Sequence, residues 1–265
     1  MTQNNSIEIA TWNLNSINSR MEHLLHYCEH HKPDVLLLQE IKCLEEKFPT
    51  AVLEDMGYNV AVYGQKSYNG VSILSKYKLS DITRREFAGW NDARYIEALV
   101  EKNGKCIRIA SVYVPNGTAV GSEKFKQKLN FIRELRSYIS NWLRNDELFL
   151  IGGDFNVAQE EIDVYDPASL SRGLGFHIDE RTEIRKILND GFIDLWRLLN
   201  PEKREYSWWD YRNRTSFSQD LGMRIDYILA NPVAADKTIN AIINHGYRAM
   251  PKPSDHVPVK CQIAL

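Results

Sequence analysis

The sequence predicts a mixed-sheet α/β sandwich with helices on its outer faces. Three observations carry this reading. Short apolar runs such as Val35-Leu36-Leu37-Leu38 and Leu148-Phe149-Leu150-Ile151 have the length and continuity of strands buried on both faces. Asn103-Gly104, between the apolar segments 97–100 and 107–114, is a strong two-residue hairpin signal. Amphipathic helical stretches are interspersed with the strands, while the hairpin and other direct strand-to-strand joins exclude a uniform βαβ series.

Taken in order, residues 7–12 alternate and read as a strand ending in the turn-like Asn13-Leu14-Asn15-Ser16. Ile17, Met21, Leu24, Leu25 and Cys28 recur at helical spacing and predict a helix of about three turns. His30-His31-Lys32-Pro33 closes it, because basic groups suit a helix C-terminus and proline blocks continuation. The strand 35–38 runs straight into Gln39-Glu40-Ile41-Lys42, and residues 70–75 form another strand, alternating small and apolar. The second hairpin arm ends in Tyr113-Val114-Pro115-Asn116-Gly117. Phe125, Leu129, Ile132, Leu135, Ile139 and Leu143 mark a long helix over 123–143. Residues 157–178 read as a long functional loop, 180–189 as a short helix, and 200–224 as a polar segment with interleaved aromatics. A strand over 225–229 carries Asp226 one residue inside it, and the last strand begins after Ser254-Asp255-His256. No linker, short repeat or compositional break divides the chain, so a single domain over 1–265 is expected.

Composition narrows the function. The 265 residues are 43% hydrophobic and 26% charged, ordinary for a soluble globular protein, and no apolar run approaches membrane-spanning length. Met1 to Ser6 is polar and lacks the regions of a secretory signal. Cys28, Cys43, Cys106 and Cys261 have no metal-like spacing; Cys28, Cys106 and Cys261 lie in apolar patterns and read as reduced core thiols of a cytoplasmic protein, expected to be a monomer. The net charge of −2 lacks the bulk basic signature of a nucleic-acid binder, although acidic metal ligands would offset a basic face.

The chemistry-bearing residues sit at strand ends. In Leu148-Phe149-Leu150-Ile151-Gly152-Gly153-Asp154-Phe155-Asn156, two glycines mark a turn or a close approach of the backbone. If the chain stays extended, Asp154 and Asn156 project from one face; the alternative is an Asp/Asn turn closing the strand. The other strands finish in Asn13, Glu40, Tyr113 and Asp255-His256, with Asp226 close by. Carboxylates converging on one sheet edge repel unless a cation or a histidinium offsets them. A donor set of oxygens plus one histidine suits Mg²⁺ or Mn²⁺ rather than zinc.

Six segments occur in an order that resembles the endonuclease/exonuclease/phosphatase superfamily: Trp12-Asn13-Leu14-Asn15, Leu38-Gln39-Glu40, Tyr113-Val114-Pro115-Asn116-Gly117, Gly153-Asp154-Phe155-Asn156, Arg224-Ile225-Asp226-Tyr227 and Ser254-Asp255-His256-Val257-Pro258. Lys42, Asn116 and Tyr206-Ser207-Trp208-Trp209-Asp210-Tyr211-Arg212 make it similar to the exonuclease III-type AP endonucleases in particular. The resemblance implies a four-layer α/β sandwich of two mixed β-sheets flanked by helices (DNase I-like), with the site along one edge of the two sheets. It implies Mg²⁺-dependent cleavage of double-stranded DNA 5′ to abasic sites, with 3′-to-5′ exonuclease and 3′-phosphatase or phosphodiesterase activities, in base excision repair. Mn²⁺ is expected to substitute.

The same resemblance implies roles. Glu40 is the foremost metal ligand, with Asn13, Asp154, Asn156, Asp255 and His256 completing the candidate set. Asp154 orients or deprotonates water, Asn156 donates to a phosphate oxygen, and His256, its ring held by Asp226, donates to the phosphate; His256 as the general base is the open alternative. Tyr113 and Asn116 donate to the phosphate or leaving oxygen, and Lys42 adds positive charge. Trp208, Met223 and Ile225 stand where relatives wall a pocket for an extrahelical abasic sugar; some relatives carry tryptophan at the position of Met223, and the flexible side chain implies looser selectivity. Arg94, Lys66, Arg212, Arg214 and Lys252 are the expected phosphate contacts. A related hydrolase of inositol phosphates, lipid headgroups or RNA ends is disfavoured by the segments around Tyr113 and Trp208. A non-catalytic DNA-binding module is disfavoured because Glu40, Asp154, Asp226, Asp255 and His256 are all present.

Overall fold

In the computed structural model, which describes residues 5–144 and 146–265, the apolar runs become the centres of two six-stranded sheets. The chain opens with β1 (Ser6–Asn13), α1 (Ile17–His31) and β2 (Val35–Gln39), then α2 (Thr50–Asp55), β3 (Asn59–Tyr63) and β4 (Val71–Ser75). It crosses to the second sheet with β5 (Leu79–Arg84), β6 (Tyr95–Lys102) and β7 (Lys105–Tyr113), and, beyond α3 (Glu123–Ile139), β8 (Leu148–Asp154). Next come α4 (Pro167–Leu170), α5 (Ile178–Asp190), β9 (Ile193–Asp194) and α6 (Leu195–Leu199). A small ribbon of β10 (Trp208–Trp209) and β11 (Gly222–Met223) precedes β12 (Asp226–Ala230). After α7 (Pro232–Ala235), β13 (Thr238–Ile243) and β14 (Val259–Ala264) complete the first sheet. The strand orders are β13-β14-β1-β2-β4-β3 and β5-β6-β7-β8-β12-β9. The β1–β2 and β7–β8 pairs are parallel and β1–β14 and β8–β12 antiparallel, so both sheets are mixed.

Period-two alternation builds the layers. Leu148 and Leu150 of β8 and Ile228 and Ala230 of β12 join the core between the sheets, whereas Phe149, Ile151, Tyr227 and Leu229 face the helical layer. That outer layer is α3 and α5, contributing Phe131, Ile132, Leu135, Ile139, Ile184 and Ile187. On the far side Leu24, Tyr27 and Cys28 of α1 belong to the main core with Trp12. The result is helix, sheet, sheet, helix. Among the described residues no helix is long and apolar enough to cross a membrane.

The Gly152-Gly153 pair does not turn the chain; β8 continues through it to Asp154. A side chain at 152 would lie 2.7 Å from Leu37 Cδ1 in the opposite sheet, and one at 153 would lie 1.9 Å from the Val112 carbonyl oxygen of β7. Close approach is therefore what these glycines permit.

Several expectations are corrected. The long helix ends as α at Ile139 and continues as a 3-10 turn over Ser140–Arg144. Asp226 opens its strand instead of lying one residue inside it, and pairs in register with Asp154. The segment 157–178 holds a 3-10 turn at Glu161–Asp163 and α4. Cys106 is exposed near the hairpin end of β7, whereas Cys43 is buried; all four thiols are free. Strands β3, β5 and β13 lie at sheet edges and mix exposed with buried positions, which blurs their periodicity.

Candidate active site

The strand ends predicted to carry chemistry meet at one rim of the sandwich, around a cleft of about 360 Å³. Glu40, Tyr113, Asp154, Asn156, Asp255 and His256 line it together with the apolar Trp208, Met223, Ile225 and Leu174 and with Gly175. Glu40 and Asp255 thus share one cavity although 215 positions separate them in the chain (255 − 40).

Backbone conformation delivers these groups. Glu40, just past β2, has φ 48°, and Asn15, Ser16, Lys42 and Asn156 also have positive φ. Left-handed conformations at non-glycine residues cost energy and concentrate where the surroundings over-determine them. Here main-chain bonds do so: Ser16 N–H donates to the Glu40 carbonyl at 2.8 Å, and Lys42 N–H to the Asn69 carbonyl at 3.0 Å. At Asn156 the turn alternative holds, and it still brings the side chain against Asp154. Its N–H donates to Asp154 Oδ1 at 2.8 Å, an Asx turn, and its Nδ2 donates to Asp154 Oδ2 at 3.2 Å. The two side chains meet because the chain turns, not because it stays extended.

Glu40, Asp154 and His256 each offer a ligand atom, all within 4.8 Å of one another. Asn13 sits between the two carboxylates, its Nδ2 donating to Glu40 Oε1 at 2.8 Å and Asp154 Oδ2 at 2.9 Å. Its Oδ1 accepts from Asn15 N–H at 2.9 Å, which leaves this oxygen one further lone pair. Asp255 is also engaged: Oδ1 accepts from Asn15 Nδ2 at 2.9 Å and Oδ2 from Trp208 Nε1 at 3.1 Å. Asn156 Oδ1 accepts from Asn116 Nδ2 at 3.2 Å. Lys42 Nζ lies 2.8 Å from Glu40 Oε2.

The imidazole is held on both sides. His256 Nδ1 donates to Asp226, 2.9 Å from Oδ2, and Nε2 lies 3.6 Å from Asp154 Oδ2. Ser207 Oγ donates to Asp226 Oδ2 at 2.6 Å, fixing the carboxylate. Arg224 does not pair with Asp226; it bonds Asp163 and Asp194. Burial disfavours the charged ring, but the carboxylates of Asp226 and Asp154 together outweigh it and raise the His256 pKa. Burial also raises the Asp154 pKa, with Asp226 and Glu40 adding to it against the pull of His256 and the Asn13 amide. Burial, then Glu40 and Asp154, push the Tyr113 phenol well above its ordinary value, so it stays a hydrogen donor.

The donor chemistry fits a hard divalent cation: carboxylate oxygens dominate, and among the described residues the ion pairs to Glu40, Asp154 and Asp226 come from His256 and Lys42 alone.

A family model described as the Endonuclease/Exonuclease/phosphatase family matches residues 10–256. This chain belongs to that family. Within it the chain falls in the exonuclease III-type branch of nucleases. Exodeoxyribonuclease III of Haemophilus influenzae is 32% identical over 264 residues, spanning 96% of this chain and 98% of that protein. The structure of an AP endonuclease from Archaeoglobus fulgidus superposes with a TM-score of 0.92 at 35% identity, covering 98% of this chain and 100% of that one. A Neisseria 3′ phosphatase bound to product DNA hairpin superposes equally well, at 0.92 and 33% identity, with coverages of 98% and 100%.

Around this nuclease site, the basic residues separate. Lys66, Arg214 and Lys252 are exposed on loops, and Arg212 lines the cleft while pairing with Asp210 at 2.9 Å. Arg94 is not a free phosphate contact: it is buried, donates to Asp92 Oδ2 at 3.1 Å, and lies between Trp90 and Tyr113 at 5.1 and 4.8 Å from the ring centroids. Trp208 faces the cleft, whereas Trp209 is core. Sequence reasoning assigned no role to Asn15, Ser207, Leu174, Gly175 or Tyr211. Asn15 had a signal, a second amide two residues after Asn13; Leu174 and Gly175 had none within an irregular segment.

Proposed function

We propose that the chain is a Mg²⁺-dependent DNA-repair phosphodiesterase that incises duplex DNA 5′ to abasic sites and trims 3′ ends, with Mn²⁺ as a substitute. The observation that carries this is the joining of a carboxylate cluster to an apolar slot in one cleft. Glu40 and Asp154 would hold the ion, with Asp255 approached through the amide of Asn15. The bound ion supplies Lewis-acid stabilisation of charge on the phosphate oxygens. Asp154, its proton affinity raised by burial, takes a proton from the attacking water. The His256 imidazolium, held by Asp226, donates to a non-bridging oxygen, which favours the donor role over the general-base role. Tyr113 and Asn116 donate to the phosphate or leaving oxygen. Trp208, Met223 and Ile225 receive a sugar without a base, which a normal nucleotide would overfill. The AP endonuclease and 3′ phosphatase among the matched structures support both substrates. The four free thiols support a reducing, cytoplasmic setting. The chain would act as a single-domain monomer. The test is an abasic duplex and a 3′-phosphate duplex incubated with Mg²⁺ or Mn²⁺: incision and phosphate release are expected, and absence of both removes the reading.

A further inference from the structure

Lys128 of α3 and Glu180 of α5 form an ion pair with no solvent exposure at either side chain. It lies outside the carboxylate cluster, yet its remaining bonds reach the cleft loops. Lys128 Nζ donates to the main-chain carbonyls of Asn156 at 2.8 Å and Asn116 at 3.2 Å, and to Glu180 Oε1, so all three of its donors are used. Glu180 Oε2 accepts from Gly175 N–H at 2.9 Å and His177 N–H at 3.2 Å. Gly175 in turn accepts from Ala158 N–H at 2.6 Å, and a side chain there would meet Met223 Cε at 3.2 Å.

A buried ion pair is a poor device for stability alone, since apolar side chains of similar volume hold helices together as well or better. What an apolar pair could not supply is four bonds to the main chain of three segments. Two of those bonds act on residues that carry chemistry. The Asn156 carbonyl belongs to a left-handed residue whose N–H is already held by Asp154. The Asn116 amide contacts the Asn156 side chain.

We propose that Lys128 and Glu180 are positioning residues: their clasp sets Asn116 and Asn156 against the scissile phosphate and holds Gly175 against Met223 as a wall of the sugar slot. This rests on the nuclease reading above and adds a control point to the same site.

The test compares wild type, Lys128→Met, Glu180→Gln and Lys128→Met/Glu180→Gln. Melting temperature, kcat and KM are measured on both DNA substrates, and amide hydrogen exchange is followed over 114–117, 154–158 and 173–177. The neutral double variant is expected to recover much of the stability lost by Lys128→Met yet keep kcat lowered by about 10- to 100-fold, the scale of a small misplacement, with KM little changed. Faster exchange confined to the three segments is expected with it. A folded double variant with wild-type kcat and wild-type exchange overturns the proposal. If the double variant does not fold, Glu180→Gln keeps the size and one acceptor oxygen while removing the charge, and the same two readouts decide. If wild type cleaves neither DNA, the nuclease reading fails, and exchange alone judges the clasp: faster exchange in the three segments supports it and unchanged exchange overturns it.

Discussion

Arg224 and Asp226 stand two residues apart at the head of β12, and the buried charge clusters they join are built in opposite ways. Arg224 bonds Asp163 at 2.8 Å and Asp194 at 2.6 Å, and Arg197 also bonds Asp163. Two cations meet two carboxylates, and Asp194 spends its other oxygen capping α6 through Trp196 N–H at 3.1 Å. On the cleft side, among the described residues, the ion pairs of Asp226, Asp154 and Glu40 come from His256 and Lys42 alone, Asp255 has none, and the Arg212 that also lines the cleft is paired with Asp210. The first cluster is balanced in charge by its own residues. The second carries surplus negative charge and opens to a cavity, so it is finished only by something from outside. Buried charge by itself does not mark function; unbalanced buried charge facing a cleft does.

The comparison can be broken most sharply at Glu40. Glu40→Gln removes a ligand without changing size and is expected to cost several kcal/mol of transition-state stabilisation, roughly 10³-fold or more in kcat, with the melting temperature held or raised. Lost stability with retained cleavage would place Glu40 in the structural class. Next in size, Asp163→Asn leaves buried guanidinium charge uncompensated and should lower unfolding free energy by about 3–5 kcal/mol in denaturant titration, while the folded fraction keeps its specific activity.

A smaller effect sharpens the contrast. Mg²⁺ or Mn²⁺ at about 100 times its Kd should stabilise wild type by about 2.7 kcal/mol and Glu40→Gln by much less, read as a shift in melting temperature. Equal shifts would put the ion elsewhere. The smallest concerns acid. Burial would raise the Asp163 pKa, but Arg224 and Arg197 together outweigh it and hold the carboxyl below its ordinary value. A depressed folded pKa contributes stability that is present above the unfolded value, about 3.9, and is lost as pH falls through the folded one. Stability profiles should therefore show an acid limb below about pH 4 that flattens in Asp163→Asn.

What was legible in the sequence follows from where each residue sits. The central strands β2 and β8 were readable because burial on both faces leaves continuous apolar runs, β1 from its alternation and β7 from the Asn103-Gly104 turn, and the polar residues at their ends stood out against them. Edge strands β5 and β13 were not, since one solvated face and a register shift erase the pattern. The convergence of Glu40, Asp154 and His256 followed from motif order, but the orientation of the Asn13 amide did not, because spacing says nothing about which end of a carboxamide faces a carboxylate. Arg94 looked like a surface charge because nothing in its neighbours announces that Trp90 and Tyr113 enclose it. The Lys128–Glu180 clasp was hidden in two amphipathic helices, where a lysine or glutamate normally reads as solvated surface.

The bare backbone just before Asp154 has a consequence for how this enzyme can vary. Tyr113 and Asp154 are register partners across β7 and β8, and the missing side chain at Gly153 lets those strands lie at normal spacing beside Val112. A single methyl there would wedge the two strands and carry the phenol away from the carboxylate. Variation can therefore be accommodated in the loops around Leu174, Tyr211 and Met223, while the strand floor that carries Tyr113 and Asp154 is closed to gradual adjustment.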